Sequence, residues 1–126
     1  MLVKIELLIV FAEAGVGTAY FFDRENKIVL PHTYTLDDTH KSADKVAGLI
    51  QSLGAKPLLA ELDPRADSVV LNIITSDQRI IKMGVTGQIG IYLAQTSGIP
   101  LFIDQEILAE EGILITQKFI EEMLQR

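Results

Sequence analysis

The chain has 126 residues, no cysteine, and 11 basic residues scattered among 17 acidic ones for a net charge of −6. That length suits one domain. The missing cysteines exclude disulfides, thiolate metal sites and cysteine nucleophiles. The missing basic run argues against a general coat for DNA or RNA, because such binding draws most of its free energy from Lys and Arg neutralising phosphates.

With 48% hydrophobic residues the chain is too apolar for a disordered segment. A mean hydropathy of +0.30 is high for a small domain. Some of that apolar surface is expected in a subunit interface, so a homo-oligomer, most simply a homodimer, is the expectation. The opening apolar run Leu7–Ala12 is six residues long and follows Glu6. That is too short and too charged for an export signal, and no stretch reaches a membrane span. A cytoplasmic location without a membrane partner is the default reading.

The first third reads as an antiparallel meander. Leu2–Ala12 is rich in Val, Ile, Leu and Phe, and a glycine-bearing turn follows at Glu13–Gly17. Thr18–Asp23 and Lys27–Leu30 flank the polar loop Arg24–Lys27, with Thr33–Thr35 extending the third strand past Pro31. A helix follows, capped by Thr35 or Asp38. Its apolar face is Ala43, Val46, Ala47, Ile50 and Leu53, and Gly54 stands where a left-handed cap belongs.

Pro57–Leu62 is a candidate strand and Asp63–Asp67 a loop. Val69–Thr75 is the clearest buried strand. Ser76-Asp77-Gln78 then either turns into a hairpin with Arg79–Met83 or caps a helix reaching Ser97. Ile80, Ile81 and Gly84 favour the hairpin. A helix over Ile89–Thr96 ends at Gly98, and Ile99–Ile103 is a strand. Gln105–Glu111 is a short helix stopped by Gly112, and Ile113–Ile115 a short strand. Thr116 opens a last helix with Phe119, Ile120, Met123 and Leu124 on one face.

The expectation is a single α/β domain over residues 1–126: a three-stranded antiparallel meander, then βαβα units, in a mixed sheet with helices on its faces. This order resembles that of ribonuclease H-like folds, a resemblance of topology that fixes no function.

The stretch with a specific chemical signal is Gly84-Val-Thr-Gly87-Gln-Ile-Gly90. Its G-x-x-G-x-x-G pattern between strand and helix resembles the nucleotide-binding turn of extended short-chain dehydrogenases and epimerases. That resemblance implies glycines for a tight bend and for close approach to a pyrophosphate, which sits on the helix N-terminus. Asp104 follows Gly84 by twenty residues, where the family holds a ribose hydroxyl. The resemblance covers 26 residues. The family's Tyr-x-x-x-Lys has no counterpart, because Tyr20, Tyr34 and Tyr92 lack a lysine four residues on, and Lys82-Met83 replaces small residues.

What carries over is a nucleotide or phosphorylated-metabolite cradle of Lys82, Gly84, Thr86, Gly87, Gln88, Gly90 and Asp104. The competing reading is that Gly87 and Gly90 let a helix pack closely. Each glycine inside a helix costs about 1 kcal/mol relative to alanine, so something must offset it.

Other chemistry is fainter. Glu6 or Glu13, Glu61 or Asp63, and Asp104 could hold Mg²⁺ for a nuclease-like reaction if a ribonuclease H-like sheet converged them. His32 and His40 read as surface or edge residues, and no nucleophile elbow is present. Two function classes result: a protein binding a phosphorylated small ligand, and a non-enzymatic interaction or oligomeric scaffold module. A Mg-dependent nuclease is a distant third.

Overall fold

A computed structural model describes residues 1–35, 39–116 and 118, with the side chains at 35 and 39–41 left aside. The capping residue Asp38 and the last expected helix, with Phe119, Ile120, Met123 and Leu124, lie outside the described residues, as does the His40 side chain.

The elements are β1 (Leu2–Glu13), β2 (Val16–Asp23), β3 (Ile28–Thr35), α1 (Thr39–Ser52), β4 (Lys56–Asp63), β5 (Ser68–Ile74) and β6 (Ile80–Thr86). Then follow α2 (Gly87–Ser97), β7 (Leu101–Asp104), α3 (Gln105–Glu111) and β8 (Ile113–Leu114). The strands form one mixed sheet in the order β6-β5-β4-β7-β1-β2-β3-β8. Arg79–Met83 thus belongs to the hairpin, not to a helix.

Two three-stranded meanders flank β7. β1 runs antiparallel to β7 and β4 parallel to it, so β1-β2-β3 and β4-β5-β6 are related by an approximate two-fold axis normal to the sheet. Both meanders lead into a helix. The second half is therefore not the regular βαβα expected. Among the described residues its one parallel pair is β4–β7, and β8 closes antiparallel onto β3. The ribonuclease H-like order is not confirmed.

The turns follow from local chemistry. Asp23 opens the β2–β3 loop by accepting from the Glu25 and Asn26 amides at 3.1 and 3.4 Å. Asp63 opens the β4–β5 loop by accepting from the Arg65 amide at 3.1 Å. Both loops end on a residue at positive φ, Lys27 at 58° and Asp67 at 46°. The β1–β2 hairpin turns on Ala14 and Gly15, at φ 52° and 80°. That is the geometry of a two-residue type I′ turn, which favours Asn-Gly.

Residues paired across strands share a face. On one face Val69, Leu71, Ile73, Ala60, Leu62, Leu101, Ile103, Ile5, Phe21 and Leu30 are buried. The helices cover this face: α2 lies on β5 with Gly90 against Val69, and Gly112 at the end of α3 meets the Ile28 side chain. The sheet is also curled. β3 and β5 are five strand positions apart, about 24 Å if flat. Yet His32 of β3 reaches Asp67, beside the start of β5, at 2.8 Å. The helix-bearing face is therefore concave, and α2 lies inside the curl.

Two substitutions test this account. Alanine tolerates a left-handed conformation poorly, so Ala14→Asn is expected to add about 0.5–1 kcal/mol of stability, read by urea unfolding. Asn72 of β5 is 8% exposed and its side-chain nitrogen has no hydrogen-bond partner. Asn72→Val is expected to raise the melting temperature, since an unmade buried bond costs about 1–3 kcal/mol.

Candidate functional site

Strand β6 passes into α2 without a loop. Gly84 to Thr86 are its last three residues, and α2 starts at Gly87. Thr86 is the N-cap: its backbone is extended (φ −65°, ψ 156°) and its hydroxyl accepts from the Ile89 amide at 3.4 Å. The expected order of strand and helix is present, but the glycines do not form a bend around an open cavity.

Each glycine answers to a neighbour. Gly90 faces Val69, where an added β-carbon would fall 2.4 Å from the Val69 β-carbon. Gly87 faces the Asp67 carboxylate, and a β-carbon there would meet it at 2.1 Å. The Gly87 amide donates to the Asp67 carbonyl at 2.9 Å. Gly84 has open space around it. It lies with Lys82 on the sheet face away from the helices, Lys82 opposite Asn72 and Gly84 opposite Val70. Gln88 sits half-buried on α2.

Asp104 is elsewhere. It ends β7, which is three strand positions from β6, about 14 Å across a sheet. Its carboxylate caps α3 by accepting from the Glu106 and Ile107 amides at 2.9 and 3.4 Å, and lies 3.7 Å from the chain's first amino group. The fold thus brings Thr86, Gly87 and Gly90 together, turns Lys82 and Gly84 to the far face, and leaves Asp104 in a separate cap.

The group at the start of α2 that the sequence reading missed is the pair His32–Asp67. His32 is 5% exposed, a correction to its placement at the surface. The missed signal is strand alternation: His32 shares parity with Leu30 and Tyr34, both buried on the concave face. Its Nε2 lies 2.8 Å from the Asp67 carboxylate, and its ring stacks on Tyr34 at 6.2 Å between centroids. Burial pushes the Tyr34 phenol above its ordinary pKa.

The β4–β5 loop is a hub. Asp67 holds His32 and the start of α2, while Arg65 pairs with Glu110 and Glu111 of α3. A helix N-terminus attracts an anion because its first amides are unpaired and its dipole is positive. Here the chain's own Asp67 carboxylate stands at that end.

Other sequence-level candidates fall apart spatially. Glu6 is bridged to Arg24 at 2.9 Å, and that hydrogen bond, with the Arg24 charge, holds its carboxyl below the usual range. Among the described residues no three His, Asp or Glu side chains gather as metal ligands, so Glu6, Glu13, Glu61, Asp63 and Asp104 do not form the cluster a nuclease would use. A cleft of about 480 Å³ lies between the ends of α1 and α2 against the start of β4. It is walled by Ile50, Ala55, Pro57, Leu93 and Ile99, and none of the seven glycine-turn candidates lines it. Among the described residues no helix is long and apolar enough to cross a membrane.

The two ends of the motif should respond oppositely to alanine. Gly90→Ala forces a β-carbon into Val69 and is expected to cost about 1–3 kcal/mol. Gly84→Ala enters open space in a strand and is expected to be neutral or to add up to about 1 kcal/mol. Urea unfolding of both variants reads the contrast.

No family model matches the chain, and no curated protein matches it.

Proposed function

We propose that this protein is a non-enzymatic protein–protein interaction module that works through its sheet. The observation that carries this reading is strand β1. Leu8, Ile9 and Phe11 are 54%, 47% and 56% exposed on one strand, without a charge between Glu6 and Glu13. Scattered exposed apolar residues are ordinary, but contiguous ones mark contact surfaces. The glycine turn supports the same reading, since Gly87 and Gly90 serve close approach of α2 to Asp67 and Val69.

A second reading keeps a nucleotide or other phosphorylated ligand at Gly84–Gly90. In its favour are the Thr86 hydroxyl and the N-terminus of an eleven-residue helix. Against it stand the Asp67 carboxylate at that terminus and the distance of Asp104 and Lys82 from it.

A thermal-shift screen against nucleotides, dinucleotides and inorganic phosphate, with and without Mg²⁺, separates the two. A ligand at 100 times its dissociation constant adds about 2.7 kcal/mol, a shift of several degrees in a domain of this size. The module reading expects no shift, and a Gly87→Ala protein that melts lower without ligand. A clear upward shift that disappears in Gly87→Ala would make this a phosphate-ligand protein instead.

A further inference from the structure

We infer that the unpaired edge of β1 takes β1 of a second copy of this chain, antiparallel, about a two-fold axis at Val10. This rests on the interaction-module reading and names its partner.

β1 pairs with β7 only over Leu2–Ile5, and with β2 over Glu6–Glu13. From Leu8 onward its other side has no strand beside it among the described residues. The two-residue turn at Ala14–Gly15 makes Glu13–Val16 the closing, hydrogen-bonded pair. Alternation along an antiparallel ladder then turns the N–H and C=O of Val10 and Ala12 away from β2. Those groups form an open row in a proline-free, uncharged, β-favouring segment, the kind of edge that pairs with another strand. The sheet's outer edges are different. β8 is two residues long and covers only Ile28 and Val29 of β3, whose open remainder carries Pro31, a residue that resists edge pairing, and β6 carries Lys82 and Gly84 in mid-strand. Short length and an edge lysine are the usual ways a sheet end avoids pairing.

The charge pattern selects a copy of the same chain. With Val10 facing itself across the axis, Ile9 faces Phe11 of the copy, and Leu8, the extra residue of the irregular register between Leu7 and Ile9, flanks that regular centre. Glu13 falls at the ends of the paired segment, outside its uncharged centre. Glu6 lies beyond the paired segment and is already bridged to Arg24. A strand bearing a charge at its centre would have to place that charge on Ile9 or Phe11. A slip of one residue would set the outward groups of Val10 against Ile9, whose groups turn to β2, so the alternation of the ladder excludes it. The pairing also enlarges an existing contact: Phe11 already meets Tyr20 edge-on at 5.9 Å between centroids, and an Ile9–Phe11 pair adds an aromatic on a β-branched side chain. A two-fold contact of this kind closes at two copies and propagates no fibre.

Sedimentation of the full chain at rising concentration tests this. The expected species weighs twice the 13.9 kDa chain. Ala12→Pro removes an outward N–H while leaving the bonds to β2, and is expected to give a monomer with unchanged circular dichroism. The chain has no cysteine, so Val10→Cys can be cross-linked cleanly. A hydrogen-bonded antiparallel pair holds its α-carbons about 5.5 Å apart, within the reach of a disulfide. Oxidised Val10→Cys is expected to run as a covalent dimer, and Lys82→Cys on the β6 edge as a monomer. A wild-type chain that stays monomeric at every concentration overturns the inference. So does a dimer that cross-links through Lys82→Cys and not through Val10→Cys. Should Val10→Cys not fold, hydrogen exchange of the wild type decides. Val10 and Ala12 amides that slow with concentration support the pairing, and amides whose rates stay constant overturn it. A monomer with a flat ligand screen removes the second copy but leaves the module reading, with another protein as partner. A ligand shift lost in Gly87→Ala removes the module reading whatever the oligomeric state.

Discussion

Helix α2 can lie inside the curl of the sheet only because two of its first four residues have no side chain. Gly90 lets its backbone rest on Val69 of β5, and Gly87 lets its first turn rest on the Asp67 carboxylate. A β-carbon at Gly90 would fall on the buried Val69 side chain, where an interior packed at crystal density does not absorb an extra methyl without strain, and one at Gly87 would displace the Asp67 carboxylate from its place beside His32. The curl depends on the same contacts. Asp67 is held by the Gly87 amide on one side and reaches His32 of β3 on the other. The helix start is thus a three-way junction between the two meanders and α2. The core residues Phe21, Leu30, Leu71 and Ile91 are enclosed because these layers meet there.

That arrangement also accounts for the chemistry at the helix start. The free amides of a first turn require acceptors. Thr86 supplies one from within the chain's own ladder, the Asp67 carbonyl supplies another to the Gly87 amide, and the Asp67 carboxylate stands beside Gly87 and holds His32. A negative group at a helix N-terminus is stabilising whether it comes from a ligand or from the protein. The sequence pattern alone does not distinguish the two, because both want the same glycines and the same hydroxyl. What separates them is Asp67, seventeen residues before Gly84 and brought in by a loop with a positive-φ residue at its end.

The elements were legible wherever local chemistry decides them. Gly54 and Gly98 adopt the left-handed conformation expected after helices, at φ 64° and 67°. Val69, Leu71 and Ile73 form the buried face of the strand that looked most buried. The hairpin after Ser76 followed from Ile80, Ile81 and Gly84. The order of strands was not legible, because it depends on where β7 inserts. Leu101–Asp104 is four residues long, and nothing in it says that it will lie between β4 and β1, antiparallel to one of them. The duplication of the meander was hidden as well. β1 has twelve residues and a two-residue turn, whereas β4 has eight residues and a four-residue loop, so one architecture is written in two unrelated patterns. At the candidate site the succession of strand and helix around the glycines is the one expected, and Thr86 caps the helix. The place of Asp104 was misjudged because twenty residues of sequence fix a distance along the chain, not the number of strands crossed.

The unequal lengths of the strands have a further consequence. β7 covers β1 over four residues, so among the described residues a twelve-residue strand has its last two-thirds paired on one side only. An isolated two-stranded ribbon is marginal in water. This one keeps its shape through β3 on the far side of β2, and through Leu7 and Val10, which pack at the margin of the core. The apolar content of Leu8, Ile9 and Phe11 does nothing for that packing, since alternation and the irregular register between Leu7 and Ile9 turn them outward. Exposing them in the monomer brings no gain in stability and invites strand pairing. In a sheet whose other long edges carry Lys82 on β6 and Pro31 on β3, a run of six apolar residues on an open edge has a physical rationale if another strand covers it.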